Sequence, residues 1–314
     1  MLRKRQLSAQ DERTSVRFGV AVATVVFGLT VAAAQATAQG SPSGSLAHPE
    51  YLVSAEELTG RLTSAGLVVL DAREPDQYRA GHIPGAVNLP LSQLQHDVQL
   101  PDGEVSPAIV KPASEIRAPL QRAGIDRDSK LVVYDDGETY RATREWWMLD
   151  YYGKAHIAVL DGGLAAWKAA GGKLSRSAVH PEPGDFDPVA DPEKIASFAY
   201  VQSHIGTKAT AVCDALSASS FSSGAIPGSI NLPWTEAVDT TAFGKLKSAA
   251  RLASLLESLH LSRDHEIIFY CQRGYVSSLE YFVARALGYT RVRLYDGSLS
   301  DFTARGGKLA PGGR

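Results

Sequence analysis

Gly81-His82-Ile83-Pro84-Gly85-Ala86-Val87-Asn88-Leu89-Pro90 decides the fold, because the second half of the chain spells it again. There it reads Gly224-Ala225-Ile226-Pro227-Gly228-Ser229-Ile230-Asn231-Leu232-Pro233. Upstream, the apolar run Leu67 to Leu70 leads into Asp71-Ala72-Arg73, and Ala211-Val212-Cys213 leads into Asp214. Ile83 and Ile226 each stand twelve residues after that aspartate. Downstream, Leu131-Val132-Val133-Tyr134-Asp135 matches Ile267-Ile268-Phe269-Tyr270-Cys271, and Asp161-Gly162-Gly163 matches Asp296-Gly297-Ser298. Identical spacing with matched residue types is an internal duplication.

The matched apolar runs are short and rich in β-branched and aromatic residues, which reads as buried strands. Each of the Tyr134 and Tyr270 strands leads into a polar loop and then a helical pattern. Those helices are expected near Thr143 to Tyr152 and near Ser278 to Leu287, stopped by Gly153 and Gly288. Strands alternating with helices predict an α/β fold: two tandem domains, each a mainly parallel sheet flanked by helices. The domains are expected at 49–174 and 191–311. Residues 175–190 are rich in Pro, Asp, Ser and Gly and read as a linker.

The chain has 314 residues, 44% hydrophobic and 21% charged, enough for two domains with cores of their own. Net charge is −2 and the basic residues are interspersed with carboxylates, so a nucleic-acid partner is not expected. Two cysteines, Cys213 and Cys271, cannot make a disulfide framework or a Cys-rich zinc site, and the eight His show no paired ligand spacing. No metal is expected. The first 38 residues carry a basic start (Arg3, Lys4, Arg5, Arg13, Arg17), an apolar run from Phe18 to Ala34, and Ala36-Thr37-Ala38 as a cleavage candidate. This is the pattern of a signal peptide, which predicts an exported, periplasmic or secreted protein with no stable membrane span after cleavage. The alternative is a membrane anchor through residues 18–34.

Cys271 is the candidate nucleophile. It lies at the carboxyl end of a buried strand, the edge at which open α/β sheets place ligands. Gln272, Arg273, Gly274, Tyr275, Val276 and Ser277 follow it and are the candidate binding residues. A loop curled around the sulfur, a helix N-terminus and Arg273 would each favour thiolate over thiol. The plain alternative is a core thiol. Against it, the first copy has Asp135 at that point, so the fold does not require a small apolar residue there. Cys213 reads as a buried strand thiol, with a redox pairing to Cys271 as the sharper reading. Asp71 and Asp214 are expected to bond loop backbone, so Asp214 is a supporting residue. Asp135, Asp136 and Glu138 read as a solvated acidic loop, and Trp146, Trp147, Trp167 and Trp234 as packing residues.

The strings Asp71-Ala72-Arg73, Gly81 to Asn88, Asp161-Gly162-Gly163 and Cys271-Gln272-Arg273-Gly274 together resemble the rhodanese domain. The tandem arrangement resembles the thiosulfate and 3-mercaptopyruvate sulfurtransferases, in which the N-terminal domain has lost its cysteine. The resemblance covers nearly all of 49–311. It implies a ping-pong reaction in which Cys271 takes the outer sulfur of a small donor such as thiosulfate, holds it as a persulfide and passes it to cyanide or a thiol. No metal or organic cofactor is implied, and the paired domains are compatible with a monomer. Arg273 is more like the basic loop residue of the thiosulfate enzymes than the small polar one of the mercaptopyruvate enzymes. Three departures stand out. The family usually has Arg two residues after the Asp of the first strand, and the second copy has Leu216. The His of the Gly-His-Ile-Pro-Gly string is Ala225 there. Val276 and Ser277 stand where many relatives place a basic residue or Thr. These losses keep two alternatives open, a 3-mercaptopyruvate enzyme and a persulfide carrier or binding module with poor turnover. A cysteine phosphatase is disfavoured, because its loop needs Arg six residues after the cysteine, where this chain has Ser277.

Overall fold

The strand that ends in Asp71 lies inside its sheet and is covered on both faces, Leu70 facing one core and Val69 another, and this cover explains its unbroken apolar run. The computed structural model describes residues 45–313. The signal-peptide pattern at 1–38 lies outside the described residues.

In the first domain the strands are β1 (Leu52–Val53), β2 (Leu67–Asp71), β3 (Val87–Asn88), β4 (Gln95–Gln99), β5 (Val105–Val110), β6 (Lys130–Tyr134) and β7 (Ile157–Leu160). The helices are α1 (Ala55–Thr59), α2 (Pro75–Ala80), α3 (Ala113–Arg122), α4 (Tyr140–Tyr151) and α5 (Gly163–Ala169). The second domain has β8 (Ile195–Ala196), β9 (Thr210–Asp214), β10 (Ile230–Asn231), β11 (Val238–Asp239), β12 (Lys245–Leu246), β13 (Glu266–Tyr270) and β14 (Val292–Tyr295). Its helices are α6 (Phe198–His204), α7 (Ala218–Ser223), α8 (Ala249–Ser258), α9 (Tyr275–Ala286) and α10 (Ser298–Ala304).

The sheet orders are β1-β7-β6-β2-β3 and β8-β14-β13-β9-β10, so they match position for position. Every pairing within the two five-stranded sheets is parallel. Parallel sheets need cover on both faces. One face of each sheet packs into a core common to both domains, holding Val133 and Trp147 of the first with Phe269 and Phe282 of the second. The opposite faces have separate cores, around Tyr134 and Trp167 and around Tyr270 and Phe302.

Helices α4 and α9 join the domains. The Trp146 ring meets Phe282 edge-on at 5.0 Å, and Tyr281 Oη donates to Asp150 at 3.0 Å. Thr143 Oγ1 lies 3.4 Å from Ser278 Oγ. These two residues hold the same position, fourth, in their helices, so a pseudo-twofold axis runs between them. Two antiparallel hairpins, β4–β5 and β11–β12, cross this boundary in opposite directions. Val110 N donates to Asp296 at 2.8 Å, and Leu246 N donates to Asp161 at 2.9 Å. The segment at 175–190 is laid along the first domain: Phe186 is buried, and Gly184 N and Phe186 N donate to Gln121 O and Ile125 O.

Candidate active site

Cys271 follows β13 directly, beside the end of β9, since Tyr270 pairs in register with Asp214. Its backbone is held on two sides. Cys271 N donates to Ser298 Oγ at 3.1 Å, and Leu299 N donates to Cys271 O at 3.0 Å. Ser277 Oγ donates to Cys271 Sγ at 3.4 Å and is itself fully buried.

The loop is four residues, Cys271 to Gly274, and α9 starts at Tyr275 rather than near Ser278. Tyr275, Val276 and Ser277 therefore form the first helical turn and are not loop residues. The reason is the cap. Gly274 enters the helix at φ +81° with no side-chain cap, so the Ser or Asp signal that usually marks a helix start is missing. A Cβ at Gly274 would lie 2.5 Å from Asp296 O and 2.8 Å from an Arg144 nitrogen, so its neighbours leave room only for glycine at this position. In the first copy Thr139 makes the same turn at φ +68°, and α4 starts at Tyr140 rather than near Thr143.

Asp135 corrects the reading of a solvated acidic loop. It is 1% exposed, and its carboxylate accepts N–H bonds from Gly137, Thr139, Arg141 and Ala142 at 2.8–3.1 Å. Burial raises its carboxyl above the ordinary range, and the four N–H groups oppose that rise. The turn is thus an anion nest filled by its own side chain. With the two helix starts aligned, Thr139, Arg141 and Ala142 correspond to Gly274, Val276 and Ser277 around Cys271. Asp136 also departs from the solvated reading, bonding Arg73 at 3.1 Å and Gln77 at 2.6 Å, while Glu138 is exposed.

Cys271 sits on the floor of a cleft of about 500 Å³ between the domains. The second domain contributes Leu216, Cys271, Gln272, Arg273, Tyr275 and Val276. The first contributes Ala72, Glu74, Leu91, Tyr140 and Arg141, which single-domain reasoning could not assign to this site. Arg273 and Gln272 are exposed, and Gln272 Nε2 donates to Ser300 Oγ at 3.0 Å. Tyr275, undecided from sequence, has its hydroxyl on Gln95 of the β4–β5 hairpin.

A second residue missed by sequence reasoning is Arg144. It is fully buried and reaches from α4 into the other domain, where it pairs with Asp296 at 2.5 Å. It also donates to Ala108 O at 2.8 Å and to Gly274 O at 3.4 Å. The first domain therefore grips the turn that follows Cys271.

The departure at Leu216 has a visible consequence. In the first copy Arg73 bonds both Asp71 oxygens, at 2.9 and 2.6 Å, together with Asp136 and Gly81 O. In the second, Asp214 Oδ1 accepts from Leu216 N at 2.8 Å, and its buried Oδ2 has no hydrogen-bond partner. Burial raises the Asp214 carboxyl, and the Leu216 N–H and the nearby Tyr270 hydroxyl oppose that rise. Asp214 bonds the loop and does not reach into the cleft lining. Cys213 is a free, fully buried thiol in the shared core, and Cys271 is free as well. Among the described residues no group of three or more His, Cys, Asp or Glu could hold a metal ion, and no helix is long and apolar enough to cross a membrane.

The family model for the rhodanese-like domain matches residues 54–170 and 197–305. The chain is a tandem member of the rhodanese sulfurtransferase family. The chain is 33% identical over 259 residues to a thiosulfate sulfurtransferase of Pseudomonas aeruginosa, covering 80% of this chain and 93% of that protein. It is 30% identical over 277 residues to a 3-mercaptopyruvate sulfurtransferase of Escherichia coli, covering 81% and 95%. A crystal structure of a 3-mercaptopyruvate sulfotransferase from Escherichia coli superposes with a TM-score of 0.71 at 29% identity, over 79% of this chain and 98% of that one.

Proposed function

We propose that this rhodanese transfers sulfane sulfur from thiosulfate through a Cys271 persulfide. The observation that carries the reading is Cys271 Sγ on the floor of the interdomain cleft, with the Ser277 hydroxyl donating to it at 3.4 Å. The thiolate attacks the outer sulfur of thiosulfate. An S–S bond forms at Sγ, the S–S bond of thiosulfate breaks, and its electron pair leaves with sulfite. Cyanide or a thiolate then attacks the outer persulfide sulfur, and the electron pair returns to Sγ. The charge of the persulfide needs donors, and the turn geometry that holds the Asp135 carboxylate in the first copy supports that role at Gly274, Val276 and Ser277. No oxidant or reductant enters the cycle.

Arg273 at the cleft favours an anionic donor such as thiosulfate. The comparable similarity to a mercaptopyruvate enzyme favours 3-mercaptopyruvate as the second donor to assay. Leu216, with the Asp214 oxygen it leaves unpartnered, favours slow turnover and hence a persulfide carrier as the third reading. One experiment separates the three. The full chain is supplied with thiosulfate or 3-mercaptopyruvate plus cyanide, and thiocyanate is followed beside Cys271→Ser. We expect turnover with thiosulfate that vanishes in the variant. Turnover confined to mercaptopyruvate would reassign the donor. A single stoichiometric persulfide without turnover would make the protein a carrier.

A further inference from the structure

Arg141 belongs to the cysteine-less domain, yet it lines the cleft of the other domain's cysteine. Its place follows from the pseudo-twofold. Arg141 is the second residue of α4 and Val276 the second residue of α9. Thr143 and Ser278, two positions further along, meet at 3.4 Å. The second positions consequently face the same space from opposite sides, and both line the cleft.

The base of Arg141 is fixed by the carboxylate that stands where the second copy has Cys271. Its backbone N–H is bound by the Asp135 carboxylate at 3.1 Å. Its guanidinium lies 5.9 Å from the Tyr140 ring centroid. No carboxylate among the described residues lies within 4.0 Å of it. It is half-buried, whereas Arg273 is exposed, so its field in the cleft is less screened by solvent. Arg73, the first copy's counterpart of Leu216, is 3% exposed and committed to Asp71, Asp136 and Gly81. It is not among the residues of the cleft. Leu216 makes its own wall of the cleft apolar.

We propose that Arg141 binds the anionic group of the sulfur donor across the domain boundary, in place of the arginine missing at Leu216. In thiosulfate this group is the sulfonate that leaves as sulfite, and in 3-mercaptopyruvate it is the carboxylate. The inference deepens the sulfurtransferase reading and rests on it for the identity of the donor. Arg141 is a binding residue, and the bond changes at Sγ are those already given.

The test compares the full chain with its Arg141→Ala and Arg141→Lys variants. Loss of one charge-assisted contact is worth roughly tenfold in affinity. We therefore expect Arg141→Ala to raise KM for the working donor about tenfold while kcat changes far less, and Arg141→Lys to recover most of the loss. A second measurement does not depend on turnover. Sulfate, an oxyanion with no sulfur to transfer and no nucleophilicity toward the reagent, is used to protect Cys271 from alkylation by iodoacetamide. Protection in the wild type that weakens in Arg141→Ala and returns in Arg141→Lys supports the proposal even if the wild type fails to turn over. Unchanged KM in Arg141→Ala, or equal protection in all three proteins, overturns it while leaving Cys271→Ser to judge the sulfurtransferase reading separately. No protection in the wild type overturns it too.

Discussion

Asp135 and Cys271 stand at the same point of two matched domains, and their surroundings diverge in two ways. The Asp135 turn is closed. Its four N–H bonds are spent on its own carboxylate, and the tip of the β11–β12 hairpin lies over it, with Thr139 Oγ1 donating to Gly244 O at 2.7 Å. A Cβ at Gly244 would come within 2.1 Å of Gly137 O. The Cys271 turn is gripped from the side by Arg144 and opens on the cleft. Duplication thus produced one domain that presents a thiol and one that shapes the space in front of it.

The largest effect expected from breaking this comparison is a failed graft. In a Cys271→Ser background, Asp135→Cys places a thiol at the matched position of the first domain. We expect no thiocyanate above background, because the hairpin covers that turn. Restored turnover would mean that the residue type alone, and not the closure, separates the copies.

Next comes Arg144. Arg144→Met removes the buried cation and leaves Asp296 without its partner. Removing one member of a buried pair costs about 3–5 kcal/mol. The check is the urea midpoint of unfolding, followed by reactivity of Cys271 toward iodoacetamide in whatever fraction stays folded. A small change in both would remove the argument that the first domain grips the turn after Cys271.

The smallest effect concerns a feature the two copies share. Glu145 and Glu280 occupy the sixth position of α4 and α9, and neither carboxyl has a hydrogen-bond partner among the described residues. Burial pushes both well above 4.5, with the charge of Asp71 adding to the rise at Glu145 and that of Glu236 at Glu280. The folded chain therefore keeps protons that the unfolded chain releases near 4.5. With more protons on the folded state, stability falls as pH rises from there through the raised folded values. Glu145→Gln and Glu280→Gln should each flatten that fall, by about 1.4 kcal/mol for every pKa unit removed. Urea midpoints between pH 5 and 8 give the answer, and a parallel displacement of all curves would show that the carboxyls do not titrate in this way.

Most of the fold was legible because a parallel strand buried on both faces is a continuous apolar run, and a duplicated run identifies itself. The Gly-His-Ile-Pro-Gly string and its degenerate copy placed β3 and β10, and the Tyr134 and Tyr270 runs placed β6 and β13. The helix starts were less legible. Thr139 and Gly274 turn through the left-handed region and carry no side-chain cap, so α4 and α9 begin three residues earlier than the pattern suggests. Asp135 was misread because a carboxylate in a polar loop is ordinarily solvated. Nothing local announces that four backbone N–H groups converge on it.

The residues themselves determined the two-copy α/β architecture, the cysteine at one strand end and the aspartate at the other, since strand periodicity and local motif need no distant partner. The tertiary structure alone decided which groups share a cleft with Cys271. Tyr140 and Arg141 lie more than a hundred residues from it along the chain, and α4 and α9 bring them close by packing about a pseudo-twofold. A charge or a hydrogen bond acts over a few ångströms of space whatever the sequence separation, and only packing sets those distances.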